Sequence, residues 1–317
     1  MYFITGGAGF IGSCLVKFLN KMGINDICVV EDRLIGEKWK NLLNLKFNMI
    51  MDKAKILAIK PPAGSVIVHL GAYSSTTNTD VDGIFQNNYM YSTELFEWCR
   101  KHSVRFIYAS SASVYGSLQN FVEDAETEPS SPYALSKVLL DRYVLTAKAT
   151  PPQWVGLRLF NVFGPNEYHK QNMASFIYHV YQSVSRHSKI ILYDVNGQYQ
   201  KGLQRRDFIY INDVLDVIWY FICNKQFNGI YNVGTGVTTP FLNIVEMVSS
   251  LLNKECEISF SQLPPEVSES YQVYTCADLK KLQDIGYKKQ FSEISQAVKD
   301  YIENYLSVKK MKERFYR

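Results

Sequence analysis

The first twelve residues constrain the fold of this chain more than any other stretch. A short apolar run at residues 2–4 ends in glycines, and a pattern typical of an amphipathic helix follows. Gly6, Gly9 and Gly12 fall at every third position. Glycine suits a turn that needs a positive φ, and it lets the backbone approach a ligand closely. The N–H groups and the positive dipole end of the helix can then hold a diphosphate. The order strand, turn, helix therefore predicts a dinucleotide-binding α/β domain.

Composition narrows the class of protein. The 317 residues are 47% hydrophobic, which predicts two domains or one elaborated domain with a large core. The net charge of +4, without a long basic run, argues against nucleic-acid binding. No apolar run approaches the roughly 20 residues of a membrane span, and the dinucleotide strand begins at residue 1, so we expect neither a membrane segment nor a signal peptide. Six cysteines without Cys-x-x-Cys spacing fit a cytoplasmic protein that binds no metal. The lysine-rich tail, with Lys309, Lys310 and Lys312, is expected to be solvated.

The second predicted strand, at residues 27–30, ends in two acids, Glu31 and Asp32. An acid at this place accepts hydrogen bonds from the adenosine ribose hydroxyls, whereas a nearby base accommodates the 2′-phosphate of NADP. The chain offers both signals, because Lys38 and Lys53 follow the acids. This region therefore leaves NADP and NAD both open.

A third predicted strand, at residues 66–70, is followed by small and hydroxyl residues from Gly71 to Thr77. The cofactor crosses an open α/β sheet beyond the carboxyl ends of its strands, so we expect these residues to contact it. His69 lies in the apolar run and is expected to be structural. Asn87, on a helix predicted from about residue 86 to 100, is expected to reach the cofactor.

Acid–base chemistry is predicted at the next strand, predicted over residues 106–116 and rich in serine toward its end. Prolines break the chain, and a helix then opens with Tyr133 and Lys137, which share one face because they are four residues apart. A lysine ammonium beside a phenol favours the phenolate and lowers the tyrosine pKa from about 10. The Ser111 hydroxyl can hold a substrate oxygen. Such a set moves a proton on or off an alcohol while hydride goes to nicotinamide.

The order of glycine turn, acid, Ser111 and Tyr133-x-x-x-Lys137 resembles the extended short-chain dehydrogenase/reductase family, whose members act on nucleotide sugars. The likeness covers essentially the whole chain. It implies an α/β fold with a doubly wound parallel (Rossmann) sheet at residues 1–161. A smaller α/β substrate-binding region would occupy residues 162–317, with an approximate boundary and interleaved segments.

Within that family, several segments resemble the ADP-glycero-manno-heptose 6-epimerases. They are Met51-Asp52-Lys53, Ser74-Ser75-Thr76-Thr77, Asn87-Asn88-Tyr89, His169-Lys170-Gln171-Asn172-Met173-Ala174-Ser175, and Tyr271-Gln272 near Thr275-x-Ala277-Asp278. The resemblance implies inversion at C6 of ADP-D-glycero-β-D-manno-heptose by transient oxidation and re-reduction, for the supply of lipopolysaccharide core heptose. It implies a bound nicotinamide cofactor, NADP in first place and NAD as the open alternative, and a homo-oligomer.

The resemblance also assigns roles to particular positions. Tyr133 and Lys170 would be the two acid–base groups, Lys137 would lower the tyrosine pKa and hold the nicotinamide ribose, and Ser111 would hold the reacting oxygen. The implied cofactor contacts are Gly6, Gly9, Phe10, Ile11, Gly12, Glu31, Asp32, Lys38, Lys53, Leu70, Gly71, Ala72, Tyr73, Ser74, Asn87, Lys137, Val162 and Lys170. The implied substrate contacts are Ser111, Asn161, Asn172, His179, Tyr193, Asp194, Arg206 and Tyr271. A guanidinium such as that of Arg206 suits diphosphate oxygens.

Three positions depart from the heptose epimerase pattern. Glu31-Asp32 stand where an Asp-Asn pair is usual, and the second carboxylate would repel a 2′-phosphate, which keeps NAD open. Asn172 stands where a serine is usual, and Leu70 replaces a glutamate. These departures concern substrate and cofactor detail and not the class of reaction.

Three other functions stay open. A nucleotide-sugar 4,6-dehydratase would carry an Asp-Glu pair where this chain has Ala112 and Ser113. A 4-epimerase of another nucleotide sugar would not need Lys170. A non-catalytic dinucleotide-binding scaffold would not need Tyr133 or Lys137, yet both are present.

Overall fold

The computed structural model describes residues 1–75, 80–187, 189–195, 199–264 and 271–307. Thr76, Thr77 and the tail lysines Lys309, Lys310 and Lys312 lie outside these residues, so the expectations about them stay predictions. Within the described ranges, no helix is both long and apolar enough to cross a membrane.

Strands and helices alternate along much of the chain. The strands are β1 Tyr2–Thr5, β2 Ile27–Glu31, β3 Met49–Asp52, β4 Val66–His69, β5 Arg105–Ser111, β6 Trp154–Leu159, β7 Asn161–Phe163, β8 Lys189–Asp194, β9 Arg205–Arg206, β10 Phe208–Tyr210, β11 Gly229–Val233, β12 Thr239–Pro240 and β13 Glu257–Gln262. The α-helices are α1 Phe10–Lys21, α2 Val81–Phe85, α3 Tyr91–Lys101, α4 Pro132–Thr146, α5 Phe176–His187, α6 Ile211–Cys223, α7 Phe241–Leu252, α8 Lys280–Asp284 and α9 Ile294–Tyr301. Short 3₁₀ or π turns are Gly36–Leu42, Lys55–Ala58, Gln86–Met90, Ala112–Tyr115, Tyr168–Met173 and Ile302–Leu306.

Seven parallel strands form the central sheet in the order β11-β6-β5-β4-β1-β2-β3. The chain winds one way from β1 to β3 and the other way from β4 onward, so the order reverses between β1 and β4. In such a sheet, a crevice opens outside the carboxyl ends of the strands at this switch point. The predicted doubly wound parallel sheet is confirmed, and it brings the turn after β1 next to the loop after β4.

Hydrophobic cores cover both faces of the central sheet. Successive residues of a strand point to opposite faces, so neighbouring residues pack into different cores. Ile4 packs into a core that includes residues of α1 and α6. Its neighbour Phe3 packs into a second core that includes residues of α3 and α4. Strands buried on both faces are expected to be continuous apolar runs, which explains why the sequence of β2 is apolar up to its final glutamate.

The strand predicted over residues 154–161 is divided into two. The Phe160 N–H still donates to the Val233 carbonyl of β11, at 3.0 Å, whereas the Asn161 N–H donates to the Asp207 carbonyl, at 3.1 Å. Because the hydrogen-bond partner changes here, β7 leaves the central sheet and pairs with β10. Two further pairs, β9 with β12 and β8 with β13, complete the described sheets.

The helix predicted from about residue 86 to 100 is longer than expected. It begins at Val81, where the Asp80 side chain accepts a hydrogen bond from the Gly83 N–H, and it continues through a π turn at Gln86–Met90 into α3. A π turn inside an α-helix often occurs at a functional site. Asn87 and the residue after it lie in this turn.

Candidate active site

The glycine turn after β1 is too tight for larger residues. A Cβ on Gly12 would lie 2.2 Å from the Gly6 carbonyl oxygen, and a Cβ on Gly6 would lie 2.8 Å from the backbone of Gly71. Gly6 also has a φ of +64°. The first turn of α1 contains no acidic residue, so its N-terminal N–H groups present only positive polarity. This cradle fits the diphosphate of a dinucleotide, and Phe10 and Ile11 lie within it, between Gly9 and Gly12.

Glu31, at the end of β2, joins the glycine turn to a lysine. Its Oε2 accepts a hydrogen bond from the Ala8 N–H at 3.0 Å. Its Oε1 lies 2.7 Å from the Lys38 ammonium nitrogen and 3.2 Å from the Asp32 backbone nitrogen. The acid predicted to contact the ribose is therefore already part of the wall of the turn.

Asp32 faces the second predicted lysine. Its Oδ2 lies 3.2 Å from the Lys53 Nζ, and the same ammonium donates to the Asn87 Oδ1 at 2.6 Å. The structure thus brings three of the predicted cofactor contacts, from the ends of β2 and β3 and from the π turn, into one cluster. Each of the two acids at this end of the crevice has one lysine as its partner.

Hydrogen bonds that involve the side chains of Thr5 and His69 fix the start of the loop after β4. The Leu70 and Gly71 N–H groups both donate to the Thr5 Oγ1, at 3.1 Å each. The His69 ring lies within hydrogen-bond distance of Thr5 Oγ1, at 2.6 Å, and of Ser92 Oγ, at 2.8 Å. Burial lowers the pKa of His69 to about 3, so its ring is neutral. Through its hydrogen bond with Thr5, the ring helps to fix the start of the loop.

Asn88 holds the next part of that loop, and this role was not predicted from the sequence. The Tyr73 N–H donates to its Oδ1 at 2.8 Å, and its Nδ2 donates to the Tyr73 carbonyl at 2.9 Å and to Ser136 Oγ at 3.3 Å. Ser136 lies on α4, so one buried amide joins the loop to the helix that carries the predicted tyrosine. Ala72 and Ser74, also predicted to contact the cofactor, are half-buried beside this bond.

Ser111 and Tyr133 come together at the end of β5. This strand ends at Ser111 and not at residue 116 as predicted, because the Ser111 hydroxyl accepts a hydrogen bond from the Ser113 N–H and a 3₁₀ turn begins at Ala112. Tyr133 lies in the first turn of α4, which begins after Ser131, whose hydroxyl accepts from the Ala134 N–H at 3.2 Å. The predicted lowering of the Tyr133 pKa by Lys137 is not seen. Burial raises the pKa of the phenol, and it is the hydrogen bond with Ser111 that acts in the opposite direction. The Ser111 hydroxyl therefore lies within reach of the Tyr133 phenol, and their joint role in catalysis stays a prediction.

Lys137 lies one turn further along α4 and is buried. Its ammonium donates to the Ala109 carbonyl at 2.8 Å and lies 5.9 Å from the centroid of the Tyr133 ring. Burial lowers the pKa of Lys137 to about 8, while the Asp141 carboxylate raises it. The amine can therefore change its charge within the pH range in which an enzyme works.

Lys170 approaches the crevice from the turn at Tyr168–Met173. Its Nζ lies 5.8 Å from the centroid of the Phe10 ring, directly beside the glycine turn. Burial lowers the pKa of Lys170, and the Glu167 carboxylate opposes this change. The next residue, Gln171, has a φ of 49° and a ψ of −122°, a conformation that is costly for a residue with a side chain and is often found at functional sites.

The strand order relates the two predicted acid–base groups. β5, which ends at Ser111, is separated from β1 by β4 alone. Neighbouring strands lie roughly 4.8 Å apart, so the carboxyl ends of β1 and β5 are about 10 Å apart. Tyr133 lies at one of these ends and Lys170 lies beside the turn that follows the other. Their joint catalytic role stays a prediction.

Arg206 forms the centre of a second cluster. Its Nε and Nη2 both donate to the Gln272 carbonyl, and its guanidinium carbon lies 5.0 Å from the centroid of the Tyr271 ring and 5.5 Å from that of Phe241. The Tyr193 ring packs edge-on against Tyr271, with centroids 5.9 Å apart. Three residues predicted to contact the substrate are thus brought together by aromatic packing.

Gln272 connects this cluster to the predicted catalytic strand. Its side-chain Nε2 donates to the Gly116 carbonyl at 2.9 Å and lies 3.4 Å from the Ala112 carbonyl. Both acceptors follow Ser111 closely in the chain. The second cluster therefore borders the end of β5.

The other predicted contacts have partners of their own. Asn161, at the start of β7, accepts a hydrogen bond from Thr275 Oγ1 at 3.1 Å, and Val162 pairs in register with Ile209 of β10. Both lie where the chain leaves the central sheet.

Two predicted contacts lie on α5 and on the turn that precedes it. The Asn172 side chain is exposed, and its carbonyl lies 3.3 Å from the His179 Nε2. At the end of β8, Asp194 lies 3.3 Å from the Lys201 Nζ. No contact described here joins these three residues to Tyr133, so their roles in substrate binding stay predictions.

Glu167 is a further residue that the sequence did not reveal. Its buried carboxylate accepts hydrogen bonds from the Gly164 and Ser175 N–H groups, from the Ser175 hydroxyl and from the Tyr301 hydroxyl. It therefore joins both ends of the segment that carries Lys170. An acid in a polar loop is usually solvated, and only the four donors around this one explain its burial.

Comparisons with known proteins agree with this arrangement. Residues 2–234 match the NAD dependent epimerase/dehydratase family. A Fusobacterium nucleatum protein named ADP-L-glycero-D-manno-heptose-6-epimerase is 35% identical, with 97% of this chain and 98% of that protein covered. A protein of the same name from Nitratidesulfovibrio vulgaris strain DP4 is 37% identical, again with 97% and 98% covered. The crystal structure of the Helicobacter pylori ADP-L-glycero-D-manno-heptose-6-epimerase matches with a TM-score of 0.83 and 26% identity, covering 97% of this chain and 96% of that one. This chain therefore belongs to the NAD dependent epimerase/dehydratase family.

Proposed function

We propose that this protein inverts C6 of ADP-D-glycero-β-D-manno-heptose to give the L-glycero epimer. The observation that carries the proposal is the placement of two candidate proton-transfer groups: Tyr133, hydrogen-bonded to Ser111 at the end of β5, and Lys170, beside Phe10 at the start of α1. The names of the relatives that span nearly the whole chain support the choice of sugar. A 4-epimerase of another nucleotide sugar would leave Lys170 without a role.

Tyr133 and Lys170 would each handle the proton of one stereoisomer. The bound nicotinamide supplies a hydride acceptor and donor for C6. In one direction the Tyr133 phenolate takes the proton of the C6 hydroxyl. After the ketone has turned its other face to the nicotinamide, the Lys170 ammonium gives a proton to the ketone oxygen. The Lys137 ammonium stabilises the phenolate, and the Ser111 hydroxyl donates to the reacting oxygen. The opposite assignment of the two epimers is equally consistent with microscopic reversibility.

We propose NADP as the cofactor, with NAD as the alternative. Lys38 and Lys53 are the cations that would meet a 2′-phosphate at the end of β2. Each is paired with an acid, Glu31 or Asp32, which reduces its attraction for phosphate and favours NAD. The balance between these charges decides the preference.

The setting follows from the resemblance to the heptose epimerases. We propose a cytoplasmic homo-oligomer that supplies heptose for a lipopolysaccharide core. We also keep the boundary near residue 161, where the chain leaves the central sheet for β7, with later segments such as β11 interleaved.

The function is tested by incubating the purified protein with ADP-D-glycero-β-D-manno-heptose in deuterium oxide and following C6 by NMR. The proposal expects the L-glycero epimer, with the original hydrogen retained at C6 because it never becomes a solvent proton. UDP- and GDP-linked sugars serve as controls. Turnover of those sugars without any change in the heptose would contradict the substrate, and deuterium at C6 would contradict the redox route.

A further inference from the structure

The segment that carries Lys170 rests directly on the first turn of α1. The Asn166 Nδ2 donates to the Ser13 hydroxyl at 2.7 Å, and the Cys14 thiol donates to the Pro165 carbonyl at 3.2 Å. Asn166 has a φ of 80°, a left-handed conformation that asparagine tolerates better than most residues. Pro165 and Asn166, shortly before Lys170 in the chain, are therefore held against α1.

Asn41 lies at the centre of these contacts. Only 5% of its surface is exposed, and its Nδ2 lies 3.1 Å from the Ala8 carbonyl, 3.1 Å from the Asn166 carbonyl and 3.2 Å from the His169 Nδ1. The His169 Nδ1 also lies 3.0 Å from the Asn166 carbonyl. One amide thus bridges the glycine turn and two residues that shortly precede Lys170, Asn166 and His169.

The glycine turn is bound on both sides by neighbouring groups. The Ala8 N–H donates to Glu31, and the Ala8 carbonyl accepts from Asn41. Asn41 and Lys38 lie on the same short turn, and Lys38 pairs with Glu31. A shift of the glycine turn on cofactor binding would therefore move Asn41 and, through it, the segment before Lys170.

We propose that Asn41 is a positioning residue that couples the glycine turn to the Lys170 amine. The inference rests on the proposed role of Lys170 in epimerisation. Asn41 itself would contact neither the sugar nor the reacting atoms. Its effect would be to keep the amine in the place that proton transfer requires, and to make that place depend on the bound cofactor.

The test compares Asn41→Leu with Asn20→Leu. Leucine is similar in size to asparagine and cannot donate. Asn20 is a matched control, because its Nδ2 bridges the Ile24 and Lys46 carbonyls, at 3.2 and 2.8 Å, at the other end of α1. The first readout is the rate at which acetic anhydride acetylates Lys170, followed by mass spectrometry with and without NADP or NAD.

In Asn41→Leu, Lys170 should be acetylated about tenfold faster than in the wild type, the size expected for losing about one net hydrogen bond. Added cofactor should protect it less than in the wild type, and Asn20→Leu should behave like the wild type in both respects. Equal Lys170 rates in Asn41→Leu and the wild type, or the same increase in Asn20→Leu, would overturn the inference. This readout needs no turnover, so it decides the inference even if the heptose is not the substrate.

The second readout is the reduction of bound cofactor in a single turnover, started from each epimer separately. Lys170→Ala should slow one epimer more than the other, and Asn41→Leu should slow that same epimer. An equal slowing of both epimers in Asn41→Leu would contradict a positioning role. If Asn41→Leu fails to fold, Ser13→Ala removes the partner of the Asn166 side chain with a minimal change and should act in the same direction, more weakly.

Discussion

Lys137 is a buried cation whose charge would favour the proposed catalysis but disfavours folding. Burial lowers its pKa from 10.5 to about 8. Between about pH 8 and 10.5 the unfolded chain therefore binds more protons at this site than the folded chain, so the free energy of unfolding rises with pH through this window. Below about pH 8 the folded chain carries the buried charge, and the free energy of unfolding is lowered by its full cost. In the proposed mechanism, the phenolate of Tyr133 needs that same charge.

Lys137→Met should separate the two effects. We expect the free energy of unfolding at pH 7 to rise by about 1–3 kcal/mol, because no charge is buried, while epimerisation falls by about a hundredfold or more. Urea denaturation at pH 7 and at pH 10 measures the first effect, and the gain should shrink at the higher pH. A gain that is the same at both pH values would contradict the assignment of the charge cost to Lys137.

Asp32 should set part of the cofactor preference. In Asp32→Asn, Lys53 loses its ionic partner and a 2′-phosphate no longer meets a second carboxylate, so NADP should bind about tenfold more tightly, which corresponds to about 1.4 kcal/mol. The affinity for NAD should change little.

Asp26→Asn removes the same charge from the opposite end of β2, where Asp26 pairs with the N-terminal amine, and serves as the control. Titration calorimetry with both cofactors measures the preference. An unchanged NADP affinity in Asp32→Asn would show that this acid does not face the 2′ position.

At the scale of elements, the segment from β7 to α5 depends on one buried acid. All four groups around the Glu167 carboxylate are donors, so in Glu167→Gln the new amide would face a donor. We expect a loss of about 1–3 kcal/mol in the free energy of unfolding and a lower kcat, because Lys170 lies on this segment.

Glu37→Gln provides the comparison, since Glu37 is exposed and pairs with Lys40 on the surface. It should leave both quantities unchanged. Chemical denaturation and steady-state rates measure them. A Glu167→Gln variant with the stability and rate of the wild type would mean that this acid does not hold the segment in place.

Whether a residue's role could be predicted from the sequence depends on how far away in the chain its partners lie. The glycine turn and the Tyr133–Lys137 pair were predicted because their geometry is decided within a few residues. Glu167 and Asn41 were not, since their partners Tyr301 and Asn166 lie 134 and 125 positions away in the chain. Burial of a loop acid or amide is a property of the assembled fold.

At the scale of the whole molecule, the sheet brings two walls of one crevice together. The reversal of strand order between β1 and β4 places the glycine turn beside the loop after β4, and β5 follows as the next strand. The chain before β6 supplies Ser111 and Tyr133, and the chain after it supplies Lys170 and Arg206. Neither half contains the complete proposed site.

The central claim is that two proton-transfer groups serve one carbon from different sides. The most direct measurement is the rate of C6 epimerisation, followed by NMR, in Tyr133→Phe and in Lys170→Ala. The account predicts that each variant binds cofactor and is slowed by at least about a hundredfold. A near-normal rate in either variant would contradict it.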